Sequence, residues 1–192
     1  GAILVWINLA RYDLASDKLL ELERLSQDAP NLCRVMFNRL NIALSAKNYQ
    51  YSTEARLQEV IEYCAKANEE LYLQFSQTIW HYFKFIDENT PIDKVKVWLE
   101  HHVSNEPKVV ELNYTYLSSA FYATMAQGYR LLGSVSEAKK YAEKALSYAT
   151  LGNVVFKVTA LDVMIAELAE EGDFKSAYDF LKEKSEIEQI QQ

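Results

Sequence analysis

The chain has 192 residues, 49% of them hydrophobic, and its 20 Lys and Arg against 27 Asp and Glu leave a net charge of −7. That apolar share excludes a disordered segment and suffices for a substantial core, while five Gly and three Pro are too few turn breakers for an all-β or α/β chain of this size. The acidic balance, with no stripe of clustered Lys and Arg, excludes a nucleic-acid surface, and no apolar run approaches the roughly 18–20 residues that cross a bilayer.

The elements are predicted as helix pairs along one all-α domain spanning residues 1–192. The chain begins inside a pair, over about residues 1–28. Ile3 and Trp6 lie on a truncated first helix, Ala10-Arg11-Tyr12 at the turn, and Ala15, Leu19 and Leu22 on the second helix. A glycine at position 1 and a polar, helical end predict a piece of a larger protein. The stretch Ala2 to Ala10 is short and has no basic leader.

Residues 30–68 form the next pair, with Phe37, Leu40 and Leu44 before a turn at Asn48, then Thr53, Leu57, Val60 and Ile61. Asn suits a turn because it tolerates the left-handed conformation. Cys33 and Cys64 fall at the same end of this antiparallel hairpin, so a disulfide is conceivable; two buried reduced thiols are the preferred reading.

Residues 69–104 carry Ile79, Tyr82, Phe83 and Ile86 on one face, then Val95 and Leu99 on the following helix. Thr90-Pro91-Ile92-Asp93 reads as that helix's start, with Thr90 as N-cap, Pro91 in the first turn and Asp93 near the positive end. Over residues 107–151 a long helix is predicted from about Pro107 to Leu132, interrupted by no breaker except Gly128. Tyr122, Met125, Ala126 and Tyr129 share its core face. After Gly133, Ser134 and Glu137 read as a capping box, and Ala138, Ala142, Ala145 and Leu146 line the partner helix. Residues 153–192 repeat the arrangement with Leu161, Met164, Ile165, Leu168, Gly172, Asp173, Phe174, Ala177 and Leu181.

One phrase sets the register. Leu132-Gly133-Ser134-Val135-Ser136-Glu137-Ala138 returns 39 residues later as Glu171-Gly172-Asp173-Phe174-Lys175-Ser176-Ala177. This pattern of bulky, small and aromatic residues, a glycine turn and spaced alanines resembles the tetratricopeptide repeat. The resemblance covers the whole chain and is closest in the last two units. Ala15, Thr53, Val95, Ala138 and Ala177 as equivalent points give spacings of 38, 42, 43 and 39, longer than the standard repeat of about 34. The resemblance implies a right-handed superhelix of about five stacked antiparallel pairs whose first helices line a concave wall.

Tempting chemistry reads mostly as structure. Adjacent His101 and His102 point about 100° apart on a helix and cannot chelate one ion together. His81 sits on a face away from the predicted core, beside Trp80 and Lys84. Ser136 and Lys139 have the spacing of one hydrolase motif without its companions, and Asn113-Tyr114-Thr115 is a glycosylation sequon only in a secreted eukaryotic protein. Without a glycine-rich phosphate loop, a His and carboxylate set or a Cys-x-x-Cys cluster, no catalysis, metal or cofactor is expected in this segment.

Counting away from the core faces leaves the residues a ligand can reach. These are Asn38, Arg39 and Ile42, then Gln77, Trp80, His81 and Lys84, then Ala123, Thr124, Gln127 and Arg130. Arg39, Lys84 and Arg130 suit the carboxylates of an acidic peptide or its C-terminus, and Asn38 and Gln127 suit peptide backbone. The expected function is a non-catalytic binding or sensory module engaging a peptide or protein segment. Residues 169–182 and the charged helix after them resemble the end of tetratricopeptide sensory regions in bacterial signalling proteins, which precede diguanylate cyclase or histidine kinase domains. The alternatives are the receptor part of a peptide-pheromone transcriptional regulator and a self-associating scaffold forming homodimers. A cytoplasmic location is expected, with a periplasmic sensory region as the alternative.

Overall fold

A computed structural model describes residues 3, 6–7, 11–25, 28–45, 54–87, 89–149 and 154–190. All regular structure among them is helical: α1 (Tyr12–Leu25), α2 (Ala29–Ser45), α3 (Glu54–Lys66), α4 (Glu70–Ile86), α5 (Ile92–Ser104), α6 (Glu106–Leu112), α7 (Thr115–Leu131), α8 (Val135–Tyr148), α9 (Val154–Glu170) and α10 (Phe174–Ile190). The expected turn positions Ala10 and Asn48, and Thr53 of the expected second helix, lie outside the described residues. No described helix is long and apolar enough to cross a membrane. The chain divides into two compact units, residues 1–80 and 81–192, with the division inside α4.

In the first unit α2 packs against both α1 and α3. The expected core residues Ala15, Leu19, Phe37, Leu40, Leu57 and Val60 are buried, joined by Phe75 and Ile79 from α4. Phe37 sits 5.2 Å from both the Tyr72 and Phe75 rings, the former edge-on. Asp28 caps α2 by accepting the Asn31 amide at 2.9 Å, and the Asn31 side chain donates to the Leu22 carbonyl at 3.0 Å, tying the end of α1 to the start of α2. Cys33 and Cys64 are disulfide-bonded, with Cα atoms 5.0 Å apart, which corrects the preference for reduced thiols. The hairpin of α2 and α3 places the start of one helix beside the end of the other, within bridging reach.

In the second unit α7 is the central helix. Every residue from Leu117 to Ala126 is buried, because α5, α6, α8 and α9 all pack around it. Helix α9 packs against both α7 and α8, and α10 packs on α9. The two glycine turns are alike in detail. Gly133 and Gly172 have φ of 69° and 82°, and the next residue's amide reaches back to Tyr129 O at 3.0 Å and Leu168 O at 2.9 Å, which satisfies carbonyls at the end of each first helix.

Four local expectations fail. The long helix from Pro107 to Leu132 is two helices, since Asn113 adopts φ 46°, ψ 44°, and closes α6. Helix α5 starts after Pro91 without a side-chain cap, and Ser134 likewise gives α8 no side-chain bond; at the matching turn before α10, Asp173 does cap, accepting the Ser176 amide at 3.1 Å. Phe174 and Leu181, assigned to the core, are 71% and 49% exposed, with Tyr178 between them at 65%. They form a stripe to one side of the α10 face, marked by Ala177, that meets α9.

Candidate groove on three helices of the second unit

A groove of about 360 Å³ is lined by Tyr82 and Ile86 of α4, Gln127 and Arg130 of α7, and Thr159 and Asp162 of α9. Each helix contributes residues three or four apart, hence one face. The mouth is mixed in character, with a phenol and an aliphatic side chain on one wall and a cation and an anion on the others.

Internal bonds hold these groups in place. Gln127 Nε2 donates to the Phe85 carbonyl at 3.3 Å, fixing α7 against the end of α4. The Thr159 hydroxyl donates to the Val155 carbonyl at 2.9 Å and lies 3.3 Å from the Tyr82 hydroxyl; since a hydroxyl has one proton, the phenol supplies the proton between them. The Tyr82 ring meets Phe156 edge-on at 5.3 Å. Lys184 of α10 pairs with Asp162 at 2.7 Å, and that hydrogen bond raises the lysine above its ordinary pKa.

Arg130 is the least satisfied of the lining charges. Its Nε is 3.7 Å from Glu167 Oε1, and its side chain keeps 39% exposure. Glu167 is buried and its Oε2 has no hydrogen-bond partner. Burial, and then the charge of Glu170, push its carboxyl above the usual range despite Arg130. A long ion pair to a carboxylate of raised pKa leaves the guanidinium with donors to give to a ligand.

Of the residues expected to face a ligand, the structure brings together Gln127 and Arg130. Ala123 and Thr124 are corrected to the interior, both fully buried, with the Thr124 hydroxyl donating to Ala120 O at 2.9 Å. His81 is also interior rather than on an outward face, because His101 and His102 of α5 close over it. Lys84 lies over the Trp98 ring, 5.6 Å from its centroid. In the first unit Asn38 is buried and bonds its own helix at Arg34 O, 2.7 Å away, Arg39 is paired with Glu23, and Ile42, Gln77 and Trp80 are half-buried.

Sequence reasoning missed Tyr82, Ile86, Thr159 and Asp162. The first two were counted as core, where a helix face alone does not separate core from groove edge. Asp162 stands 39 residues after Ala123, which was assigned to the ligand side but is fully buried, so the repeat spacing alone does not single it out. No family model matches the chain, and no curated protein matches it.

Proposed function

We propose that the chain is a non-catalytic, tetratricopeptide-like module that holds a peptide or protein segment in this groove, as a binding or sensory part of a larger regulator. The observation that carries the reading is the convergence of one face from each of α4, α7 and α9 on a single groove. It is supported by the matched glycine turns, which give α7 with α8 and α9 with α10 the same local geometry. Within this reading the chain is a superhelix of stacked pairs whose first helices form the binding wall.

The lining suits a segment with a carboxylate for Arg130 next to an apolar group for Tyr82 and Ile86. Peptides selected from a random displayed library against the full chain, and then measured by calorimetry, test it. Arg130→Gln and Asp162→Asn are expected to weaken the selected peptides at least tenfold, about 1.4 kcal/mol, with helicity and thermal midpoint nearly unchanged. Peptides that bind both variants as tightly as the parent refute the groove.

The second reading is a self-associating scaffold, favoured by the exposed stripe of Phe174, Tyr178 and Leu181. It requires concentration-dependent dimers in sedimentation experiments, lost in Tyr178→Glu.

A further inference from the structure

The protein has three histidines, and they stand in one row. His101 Nδ1 is 3.3 Å from His81 Nε2, His81 Nδ1 is 3.3 Å from His102 Nδ1, and His102 Nε2 is 3.1 Å from the Phe121 carbonyl. His81 and His102 are both 1% exposed, while His101 opens to solvent. The row joins α4, α5 and α7, and His102 stacks on the Phe121 ring with centroids 4.1 Å apart.

The carbonyl fixes the direction of every bond. A carbonyl only accepts, so His102 carries its proton on Nε2, and its bare Nδ1 accepts from His81 Nδ1. His81 Nε2 is then bare and accepts from His101 Nδ1. A further proton on the outer nitrogen of His101 leaves all three bonds intact. On His102 it either sets two N–H groups against each other or, if the row reverses, leaves an imidazolium buried with no counter-charge. The nitrogens meet in pairs, not at one point, and no group of three or more His, Cys, Asp or Glu able to hold a metal occurs among the described residues.

We propose that this row is a proton-excluding latch that makes the packing of α4 and α5 on α7 acid-sensitive. This stands whatever the groove binds. Among the described residues no carboxylate is seen acting on His102, and Glu106 of α6 is taken up by Tyr122 and Lys144. From α7, residues 117–126 carry no charge; from α4 the charged neighbour is Lys84, set over Trp98; on α5, Lys96 and Glu100 are exposed. Burial first, then the like charge of His81 and His101, hold His102 well below the ordinary histidine value.

The sign follows directly. A histidine with a folded-state pKa below its unfolded value of about 6.5 binds fewer protons when folded, so stability falls as pH drops below about 6.5. Between pH 8 and pH 5 each excluded proton lowers the folded-to-unfolded ratio by about 30-fold. Glu167, raised by burial, acts in the opposite sense and cannot mimic this. Asp13 and Asp173, which are lowered, lose their contribution as pH falls towards and below about 4, under this window.

Urea unfolding of the full chain at pH 8 and pH 5 tests the latch against His102→Gln, whose side-chain amide can still donate to Phe121 O but takes no proton. The parent is expected to lose at least one 30-fold factor on acidification and the variant one factor less. Ring nitrogen NMR of the parent should show His102 neutral, with the proton on Nε2, down to pH 5. An unchanged ratio in the parent, an equal pH response in the variant, or a His102 that titrates near 6.5 overturns the proposal. Should the variant not fold, the NMR titration of the parent decides alone.

Discussion

A methyl group placed on Gly128 would come within 2.8 Å of Leu99 Cδ1 and 3.0 Å of Phe85 Cε2. The sequence reading took this glycine for the one breaker in a long helix, yet it lies inside α7 and lets that helix approach α4 and α5 closely. Gly128→Ala sets overpacking of about 1–3 kcal/mol against a helix-propensity gain of about 1 kcal/mol. Leu99 can yield at its flexible end, whereas the Phe85 ring, held in the cluster with Val95 and Leu99, yields less. A net loss of about 1 kcal/mol in urea unfolding is expected; a gain would show that the contact is slack. Gln127 was legible as a groove residue for the same reason that Gly128 was not legible as a contact. Helical periodicity tells which way a position faces, but the distance to the neighbouring helix depends on the partner side chains, which lie about 30–40 residues away in sequence.

The elements themselves were most legible where the chain punctuates them. Gly133 and Gly172 end their helices with the positive φ the pattern demands, and the alanines after them, Ala138 and Ala177, are buried as expected. Asn113 was the missed boundary: asparagine tolerates the left-handed conformation, a signal used at Asn48 but not at 113, where φ is 46°. That break has a purpose in packing. It lets Glu106 at the start of α6 accept bonds from the Tyr122 hydroxyl at 3.0 Å and from Lys144 at 2.9 Å, locking α6 onto α7 and α8. Burial of Lys144 works against its charge, but its bonds to Tyr122 and Glu106 outweigh that and raise its pKa. Asn113→Val should cost about 1–2 kcal/mol, the penalty of the left-handed region for a β-branched residue, while Asn113→Gly should be neutral or stabilising. Urea midpoints of the two variants check this, and equal midpoints would mean that the turn relaxes without strain.

At the scale of the whole molecule, the division at residue 80 and the disulfide lead to one expectation about how stability is distributed. The bridge closes a loop between positions 31 apart, both in the first unit. Loop-closure entropy makes such a bridge worth about 3–4 kcal/mol, and that constraint acts on the unfolded form of the segment it spans, α2 and α3. The second unit is held instead by the buried surround of α7 and by ion pairs such as Lys139 with Glu171 at 2.6 Å, which links the start of α8 to the turn before α10. Each is a contact between segments of the same unit. The Cys33→Ala, Cys64→Ala double variant should therefore lose protection unevenly, provided the units open separately. Amide exchange in α2 and α3 is expected to accelerate by about 10²–10³-fold, the kinetic equivalent of that loss, with α8 and α9 little changed. Equal acceleration in all four helices would mean that α4, which runs through the division, makes the two units open as one.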